Sequence, residues 1–502
     1  MKKLAAVLAC ALACAGLGVA AATASNPSIG FAEDATKYAS DGGASLFTEM
    51  NKLGTNTNRV AVFWDAANPA SIYDQAFLDR MIPIAKLHNI QVVFAIYPLR
   101  ATMAPTTPDA VNAFCDYAVE VMGRYPYVRK AIIGNEANQP RFWQPVWNGS
   151  QPASPAAMEA VLASCYDKIK AFDSSLDVIG VGLSPRGNDQ PPPTNNASIS
   201  PIRWMKALGD AYRASGRTKP LFDEWAWHCY PNVNTDGLEV GYPWPNTGCV
   251  NAARVKLALW DAFHGTAQPV PPGYPPSTTG ATLYGDTIRL FIDETGWQVD
   301  TTNRPGYVNA ENVPPIDEAK QAEVYEKLVH LSNCEPTLSA FHIFHEIDEA
   351  DRTTFQSGVL RVTGDERASA ADPNTSVQHA IAADKGVCAA GGVWGALGTF
   401  LYSTSAVVPV YAKFPYASKQ PYASLTTSGG GRYVAMQAGE GFSYTLTFKK
   451  GGRTAMLNGV ARRTVATAKV PAGFGGKGGT VAVKLVAETN PGRTSTVKLS
   501  LG

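Results

Sequence analysis

The sequence predicts an α/β protein, a (β/α)8 (TIM) barrel followed by a small all-β, sandwich-like domain. Between Ile29 and Cys388, short β-rich runs alternate with amphipathic stretches, the order expected of a parallel sheet. After Cys388, Gly, Thr and Val become frequent and polar and apolar residues alternate, which is typical of antiparallel strands. The composition, with 45% hydrophobic and 17% charged residues, excludes disorder over most of the 502 residues.

The first residues have the pattern of a secretory leader. Met1-Lys2-Lys3 precedes an apolar run from Leu4 to Ala22 and the small-x-small site Ala22-Thr23-Ala24. This pattern predicts a bacterial-type signal peptide over residues 1–24, and a lipoprotein site at Cys14 is the alternative. No other segment reaches the ~18 consecutive apolar residues of a membrane span. We therefore expect a secreted, extracellular protein, with association with the cell wall left open.

Eight β-then-α units make up the predicted barrel, residues 25–388. The predicted strands are Ile29–Glu33, Arg59–Trp64, Gln91–Tyr97, Lys130–Asn135, Asp177–Gly182, Leu221–His228, Thr287–Asp293 and Ser339–His345. Three- and four-residue apolar spacing predicts helices between them, such as Asp109–Gly123, Pro155–Phe172, Pro201–Ser215, Val250–Phe263 and Asp317–Ser332. Eight parallel strands joined by right-handed crossovers fit a closed barrel. An open, doubly wound sheet is the alternative.

Charge distinguishes the end of the chain from the barrel. Residues 389–392 have the composition of a linker, and residues 393–502 form the predicted β-domain. From Gly391 onward there are 13 Lys and Arg residues but 2 acids, whereas the whole chain carries a net charge of +1. The barrel is therefore acidic, and without a global positive excess we expect no binding of nucleic acid. The basic domain fits an anionic cell-wall polymer or an acidic polysaccharide as partner, and docking on the barrel is the alternative.

The cysteines predict disulfides. Six remain after the leader is removed, an even number in an oxidising compartment. Six cysteines allow 15 connectivities, but each consecutive pair brackets one predicted structural unit. We therefore expect the bonds Cys115–Cys165, Cys229–Cys249 and Cys334–Cys388. A zinc site would need clustered thiolates such as C-x-x-C, which do not occur, so no metal is expected.

Two glutamates follow predicted strands of the barrel. Asn135-Glu136 ends the fourth strand and Glu294 ends the seventh, and the loops at the C-terminal ends of barrel strands converge on one mouth. Two carboxyl groups that face each other can divide the work, one as a proton donor and one as an ionised nucleophile. Glycoside hydrolysis uses this pair of groups. Taken singly, either glutamate is as well explained as a salt-bridged loop residue.

With these residues in these places, the sequence resembles the (β/α)8 glycoside hydrolases of clan A, which include the family 5 cellulases and mannanases. The resemblance implies that Glu136 is the acid/base and Glu294 the nucleophile of a retaining mechanism. It also implies that Arg59, in the second strand, supports the nucleophile, and that the His228-Cys229-Tyr230 segment binds substrate. The side-chain amide of Asn135 is suited to hold a sugar 2-hydroxyl.

Aromatic residues near strand ends are candidate sugar platforms, because aromatic faces stack on sugars. We expect Trp64 and Trp297 to bind substrate in this way, although core packing explains each as well. Clan members often carry a tryptophan on the eighth strand, where this sequence has Phe344. Glu224, deeper in the sixth strand, is expected to be structural.

The sequence therefore predicts a secreted, retaining glycoside hydrolase that acts on a carbohydrate and needs no cofactor. The alternative is a non-catalytic carbohydrate- or cell-wall-binding protein built on the same barrel.

Overall fold

The structure, a computed structural model, describes residues 27–238, 240–271, 288–333, 335, 337–383, 423–428, 430–437, 442–461, 465–488 and 494–502. The predicted signal peptide, the linker and the first part of the β-domain lie outside the described residues.

Eight parallel strands close into the predicted barrel. They are β1 (Ser28–Ala32), β2 (Thr57–Trp64), β3 (Gln91–Pro98), β4 (Lys130–Ile133), β5 (Asp177–Leu183), β6 (Glu224–His228), β7 (Arg289–Thr295) and β8 (Leu338–Ile343). Each strand pairs with the next along the chain, and β8 pairs with β1, which closes the barrel.

Helices connect and surround the strands. They are α1 (Ala35–Tyr38), α2 (Ala44–Leu53), α3 (Gln75–Leu87), α4 (Pro108–Arg124), α5 (Ser154–Phe172), α6 (Pro201–Ser215), α7 (Ala252–Phe263), α8 (Glu318–Asn333), α9 (Ala368–Ala371) and α10 (Val377–Ala383). Helices α4, α5 and α6 each have a proline in the first turn, where its fixed φ suits the helix and its missing N–H is not needed.

The strands divide their side chains between two apolar cores. In β3, for example, Val93 and Ala95 fill the inside of the barrel, whereas Val92, Phe94 and Ile96 pack outward under the helices. This alternation follows from the period of two along a strand. An inward-facing residue near the C-terminal end of a strand therefore reaches the mouth of the barrel.

The alternation breaks near the end of β7. Trp227 of β6 pairs with Ile292, but the next residue, His228, pairs with Glu294, so that Asp293 is an extra residue in β7. Such a bulge re-aims the side chains that follow it. Asp293 and Glu294 would point to opposite faces of a regular strand, yet both lie beside His228.

Two of the predicted disulfides are present. Cys115–Cys165 joins α4 to α5, and Cys229–Cys249 closes the segment that follows β6. The predicted bond Cys334–Cys388 lies outside the described residues.

The C-terminal domain is a two-layer β-structure, as predicted. One antiparallel sheet contains β9 (Ala423–Ser428), β10 (Gly431–Gln437) and β13 (Val465–Lys469), and the other contains β11 (Phe442–Lys450), β12 (Arg453–Ala461), β14 (Thr480–Ala487) and β15 (Thr494–Ser500). Buried side chains of both sheets form one shared core. Among the described residues, no helix is both long enough and apolar enough to cross a membrane.

Candidate active site

Glu136 and Glu294 meet at the mouth of the barrel. Glu294 is the penultimate residue of β7, and Glu136 lies three residues beyond β4. Glu136 has a positive φ of 38°, a conformation that costs a non-glycine residue roughly 1–3 kcal/mol and is found mostly at functional sites. A hydrogen bond from its backbone N to Gly182 O, 2.7 Å, holds it in place. One carboxylate oxygen of each glutamate and a ring nitrogen of His228 all lie within 4.8 Å of one another.

His228 lies between the two glutamates. Its Nδ1 is 2.8 Å from Glu136 Oε1 and 3.3 Å from Glu294 Oε2. The side chain is completely buried at the end of β6. The imidazole therefore bridges the residues predicted to be the acid/base and the nucleophile.

Donors hold the Glu294 carboxylate from two further sides. Arg59 of β2 places Nη2 3.1 Å from Glu294 Oε1 and donates to Asn135 Oδ1 over 2.7 Å. Tyr230 donates its hydroxyl to Glu294 Oε2 over 2.9 Å. The structure therefore brings together Glu136, Glu294, Arg59, Asn135, His228 and Tyr230.

Asp293 belongs to the same group of side chains, although it was not among the predicted site residues. It is completely buried, and its Oδ2 is 3.2 Å from His228 Nε2 and 3.9 Å from Arg59 Nη2. A signal for it exists in the sequence, because Asp293 alternates with the inward-facing Phe291. The same rule would have placed Glu294 on the outer face, so only the bulge explains how both reach His228.

The two buried histidines of the barrel interior differ in charge for a physical reason. Burial lowers the pKa of His342 to about 4, so that this ring is neutral. Burial also acts to lower the pKa of His228, but the carboxylates of Glu294, Asp293 and Glu136 outweigh it and raise that pKa well above its usual range. A doubly protonated imidazole has no lone pair for a metal ion. The close group of Glu136, His228 and Glu294 is thus better suited to proton chemistry than to metal binding.

The carboxylates respond to the same charges. Burial raises the pKa of Glu294 above its usual range, although His228 and Arg59 oppose the shift. Burial also acts to raise the pKa of Asp293, but here His228 and Arg59 prevail and keep it below the usual range. Asp293 is therefore a fixed negative charge under the site.

Trp64 and Trp297 do not face the mouth, contrary to expectation. Trp64 alternates with Val60 and Val62 on the outer face of β2, is 2% exposed and packs edge-on against Phe114 of α4. Trp297 is also 2% exposed. It packs edge-on near Tyr325 of α8, with a centroid distance of 6.4 Å, and donates its indole N–H to Asp236 O. Both rings are used in packing, so no face remains for a sugar.

Aromatic rings other than Trp64 and Trp297 lie at the mouth of the barrel. Phe63 and Tyr97 are half-buried at the ends of β2 and β3 with their centroids 5.1 Å apart, and Phe142 is 6.4 Å from Tyr97. On the opposite side, Phe344 lies 6.2 Å from the ring of Tyr230. The positions of Phe63 and Tyr97 could have been found in the sequence, because Phe63 alternates with Arg59, and Tyr97 with Val93.

Glu224 is structural, as expected. It lies at the start of β6, where Lys130 of β4 and Ser339 of β8 donate hydrogen bonds to it inside the barrel. This ion pair crosses the barrel below the site and does not take part in it.

No protein-family model and no curated protein sequence matches this chain. Among solved structures, a family 39 glycoside hydrolase of Bacteroides cellulosilyticus aligns at 11% identity over 88% of this chain and 81% of its own, with a TM-score of 0.43. A glucosidase of Croceicoccus marinus aligns at 11% identity over 91% and 94%, with a TM-score of 0.44. A Bacteroidetes-affiliated GH5 cellulase aligns at 14% identity over 75% and 94%, with a TM-score of 0.44. At these identities and TM-scores, the chemistry of this chain is inferred from its own geometry.

Proposed function

We propose that this protein is a retaining glycoside hydrolase with Glu294 as nucleophile and Glu136 as acid/base. The observation that supports this most directly is the separation of their carboxylate oxygens, at most 4.8 Å. Retaining enzymes hold the two carboxyl groups roughly 5–5.5 Å apart, whereas inverting enzymes leave about 6.5–9.5 Å for a water molecule. The short separation favours direct attack by one carboxylate.

The proposed reaction has two steps. In the first, a Glu294 oxygen bonds to the anomeric carbon while the glycosidic bond breaks, and Glu136 gives its proton to the departing oxygen. In the second, Glu136 takes a proton from water, the water oxygen bonds to the anomeric carbon, and the ester to Glu294 breaks. Both carboxyl groups return to their starting state, so no cofactor is needed.

The surrounding donors fit this reaction. Arg59 and Tyr230 bind opposite oxygens of Glu294 and favour its ionised form. Asn135 accepts from Arg59 through Oδ1, which leaves its NH2 group to hold a sugar 2-hydroxyl. The half-buried rings of Tyr97 and Phe344 offer apolar faces to a sugar on either side.

Product stereochemistry and variants of the two glutamates test the proposal. The substrates are aryl β-glycosides of glucose, mannose, xylose and galactose, together with a panel of polysaccharides. We expect Glu294→Ala and Glu136→Ala to lose several orders of magnitude in kcat, and azide to rescue Glu294→Ala with formation of a glycosyl azide of inverted configuration. Proton NMR of the first wild-type product should show the anomer of the substrate.

Glu335→Gln is the matched control, because Glu335 is also a buried carboxylate. Glu335 lies just before β8, at the end of the barrel opposite the site, and pairs there with Lys256 of α7. The Glu335→Gln variant should keep its activity. Near-native rates for both active-site variants, or a product of inverted configuration, would overturn the assignment. A wild-type protein that binds glycans without cleaving them would favour the non-catalytic alternative.

We further propose that the protein is exported and that its C-terminal domain binds an anionic polysaccharide. The two disulfides support export, because such bonds persist in oxidising compartments. Lys449, Lys484 and Lys498 are exposed. The first two alternate with buried residues and Lys498 with half-buried ones, and the strand pairing puts all three on the outer face of the four-stranded sheet. None of the four strands of this sheet contains Asp or Glu.

Docking of the basic domain on the acidic barrel has less support. The described residues include an ion pair between the two parts, Arg203 with Glu488, 2.9 Å. Here the barrel supplies the cation and the C-terminal domain the anion, the reverse of the charges that such docking would use.

Binding of the full chain to polygalacturonate, with neutral dextran as control, tests the C-terminal proposal. We expect the affinity to fall steeply with salt and to be lost when all three lysines are replaced by glutamine. Equal retention on both polymers, or no effect of the substitutions, would contradict it.

A further inference from the structure

We propose that Asp293 is a positioning residue, which holds His228 as an imidazolium whose Nδ1–H is shared between Glu136 and Glu294. The inference rests on the proposed function for its catalytic consequence, but the state of His228 can be measured without any substrate.

Contacts at both ring nitrogens orient His228. Asp293 Oδ2 lies 3.2 Å from Nε2, and Glu136 Oε1 lies 2.8 Å from Nδ1 on the opposite side of the ring. Asp293 and His228 are both completely buried. Ionised carboxylates can only accept, so while Asp293 and Glu136 are both ionised, both ring nitrogens must carry a proton for both contacts to be hydrogen bonds. The geometry thus favours the charged imidazolium over either neutral tautomer.

Space for this pair is left by a glycine in the neighbouring strand. A Cβ at Gly182 of β5 would lie 2.5 Å from Asp293 Oδ2 and 2.7 Å from His228 Nε2. Only a residue without a side chain allows the carboxylate and the imidazole to meet at this point. The contact of His228 in β6 therefore depends on two other strands. The carboxylate comes from β7, and the space for it comes from β5.

The charged groups around His228 favour its positive state. Glu136 follows β4, and Asp293 and Glu294 belong to β7, so three carboxylates face the ring. Arg59 of β2 opposes them but lies against Glu294 and Asp293. The hydroxyl of Tyr230 is directed to Glu294, and His342 of β8 is neutral. Without Asp293, one of the three anions and the partner of Nε2 would be lost.

This arrangement has a consequence for the reaction. When Glu136 carries the proton that it gives to the leaving group, its carboxyl group is neutral and a weaker acceptor. The Nδ1–H of His228 then has Glu294 as its charged acceptor, at 3.3 Å. The imidazolium thereby favours the ionised nucleophile at the moment when the acid is protonated. A neutral His228 with its proton on Nε2 would instead turn a lone pair toward both carboxylates.

The experiment has one arm that is independent of catalysis and one that follows it. In the first, two-dimensional NMR of protein labelled with ¹⁵N-histidine, with the His228 signal assigned by His228→Gln, follows both ring nitrogens across pH. We expect wild-type His228 to be doubly protonated at neutral pH and to lose its proton only in the alkaline range. In Asp293→Asn the same signal should titrate at a lower pH, and Glu335→Gln should match wild type.

In the second arm, pH profiles of kcat are measured on whichever glycoside the wild type cleaves. We expect Asp293→Asn to lower kcat by at least tenfold and to move the alkaline limb of the profile to lower pH. A merely structural role would lower activity without moving that limb.

The outcomes separate the two proposals. A neutral wild-type His228 at pH 7, or identical titration in wild type and Asp293→Asn, would overturn the inference even if the enzyme is active. The protonation state of wild-type His228 at pH 7 is measured without Asp293→Asn, so the inference can be overturned even if that variant does not fold. A His228 that behaves as expected in a protein without glycosidase activity would instead overturn the proposed function.

Discussion

Replacing Gly182 by alanine tests the geometry of the site through one added methyl group. The new Cβ would lie 2.5 Å from Asp293 Oδ2, 2.9 Å from Asp293 Oδ1 and 2.7 Å from His228 Nε2. Ordinary contacts between such atoms are about 3.5 Å, so the neighbours must move by nearly 1 Å. Both side chains are completely buried, so that any such movement must displace the residues packed around them. The contact between His228 and Asp293, now 3.2 Å, would then no longer hold the ring.

The expected magnitude follows from this displacement. Overpacking a buried site typically costs about 1–3 kcal/mol of stability, and a shift of about 1 Å in a catalytic group can cost roughly 100-fold in rate. We therefore expect Gly182→Ala to unfold at lower urea concentration and to lose 10- to 100-fold in kcat. Urea unfolding and initial rates on a cleaved glycoside measure the two effects.

Gly180→Ala is the matched control for Gly182→Ala. Gly180 lies in the same strand, but a Cβ there would meet Trp225 at 2.8 Å and Phe222 at 3.2 Å, in the layer under the helices. It should lose comparable stability and little activity. Equal activity of the two variants would refute the reasoning.

Three other changes have expected outcomes. Glu346 is completely buried, has no hydrogen-bond partner for its carboxylate among the described residues, and its pKa is raised well above the usual range, first by burial. Since the folded state then binds a proton more tightly than the unfolded state, stability falls as pH rises above roughly 4.3, and Glu346→Gln should raise the melting temperature at pH 7 but not at pH 4. A double Cys229→Ser and Cys249→Ser variant should lose about 2–4 kcal/mol in urea unfolding and bind substrate more weakly, whereas an unchanged KM would show that this loop does not shape the cleft. Arg59→Met removes a cation that lowers the pKa of Glu294, so the acidic limb of the kcat profile should move to higher pH, and an unmoved limb would exclude this role.

Sequence patterns predicted the elements because their causes are local. The alternation of β-rich and amphipathic runs anticipated eight strands and five of the helices, with ends that differ by a few residues. That Glu136 and Glu294 lie close together could be predicted because the C-terminal ends of barrel strands converge on one mouth. The bonds Cys115–Cys165 and Cys229–Cys249 followed from the units that the cysteines bracket.

Predictions based on residue type alone were less reliable. Trp64 was expected to bind sugar because tryptophan is common in carbohydrate clefts, but its position in the alternation of β2 directs it under α4. The same alternation marks Phe63 and Tyr97 as the rings that reach the mouth. Parity along a strand, which the sequence contains, is thus more informative here than the chemical type of the side chain.

The sequence by itself determined the order of strands and helices, the two glutamates at strand ends and the division of charge between the barrel and the C-terminal domain. These depend on periodicity, spacing and composition, which are properties of neighbouring residues. Only the tertiary structure decided that Asp293 and Glu294 both lie beside His228, because this depends on a bulge in the pairing of β7 with β6. The contact between Asp293 and His228 also requires Gly182, on a third strand, because a side chain there would occupy the space. Register and close approach are relations between strands distant in sequence, and for that reason no local pattern records them.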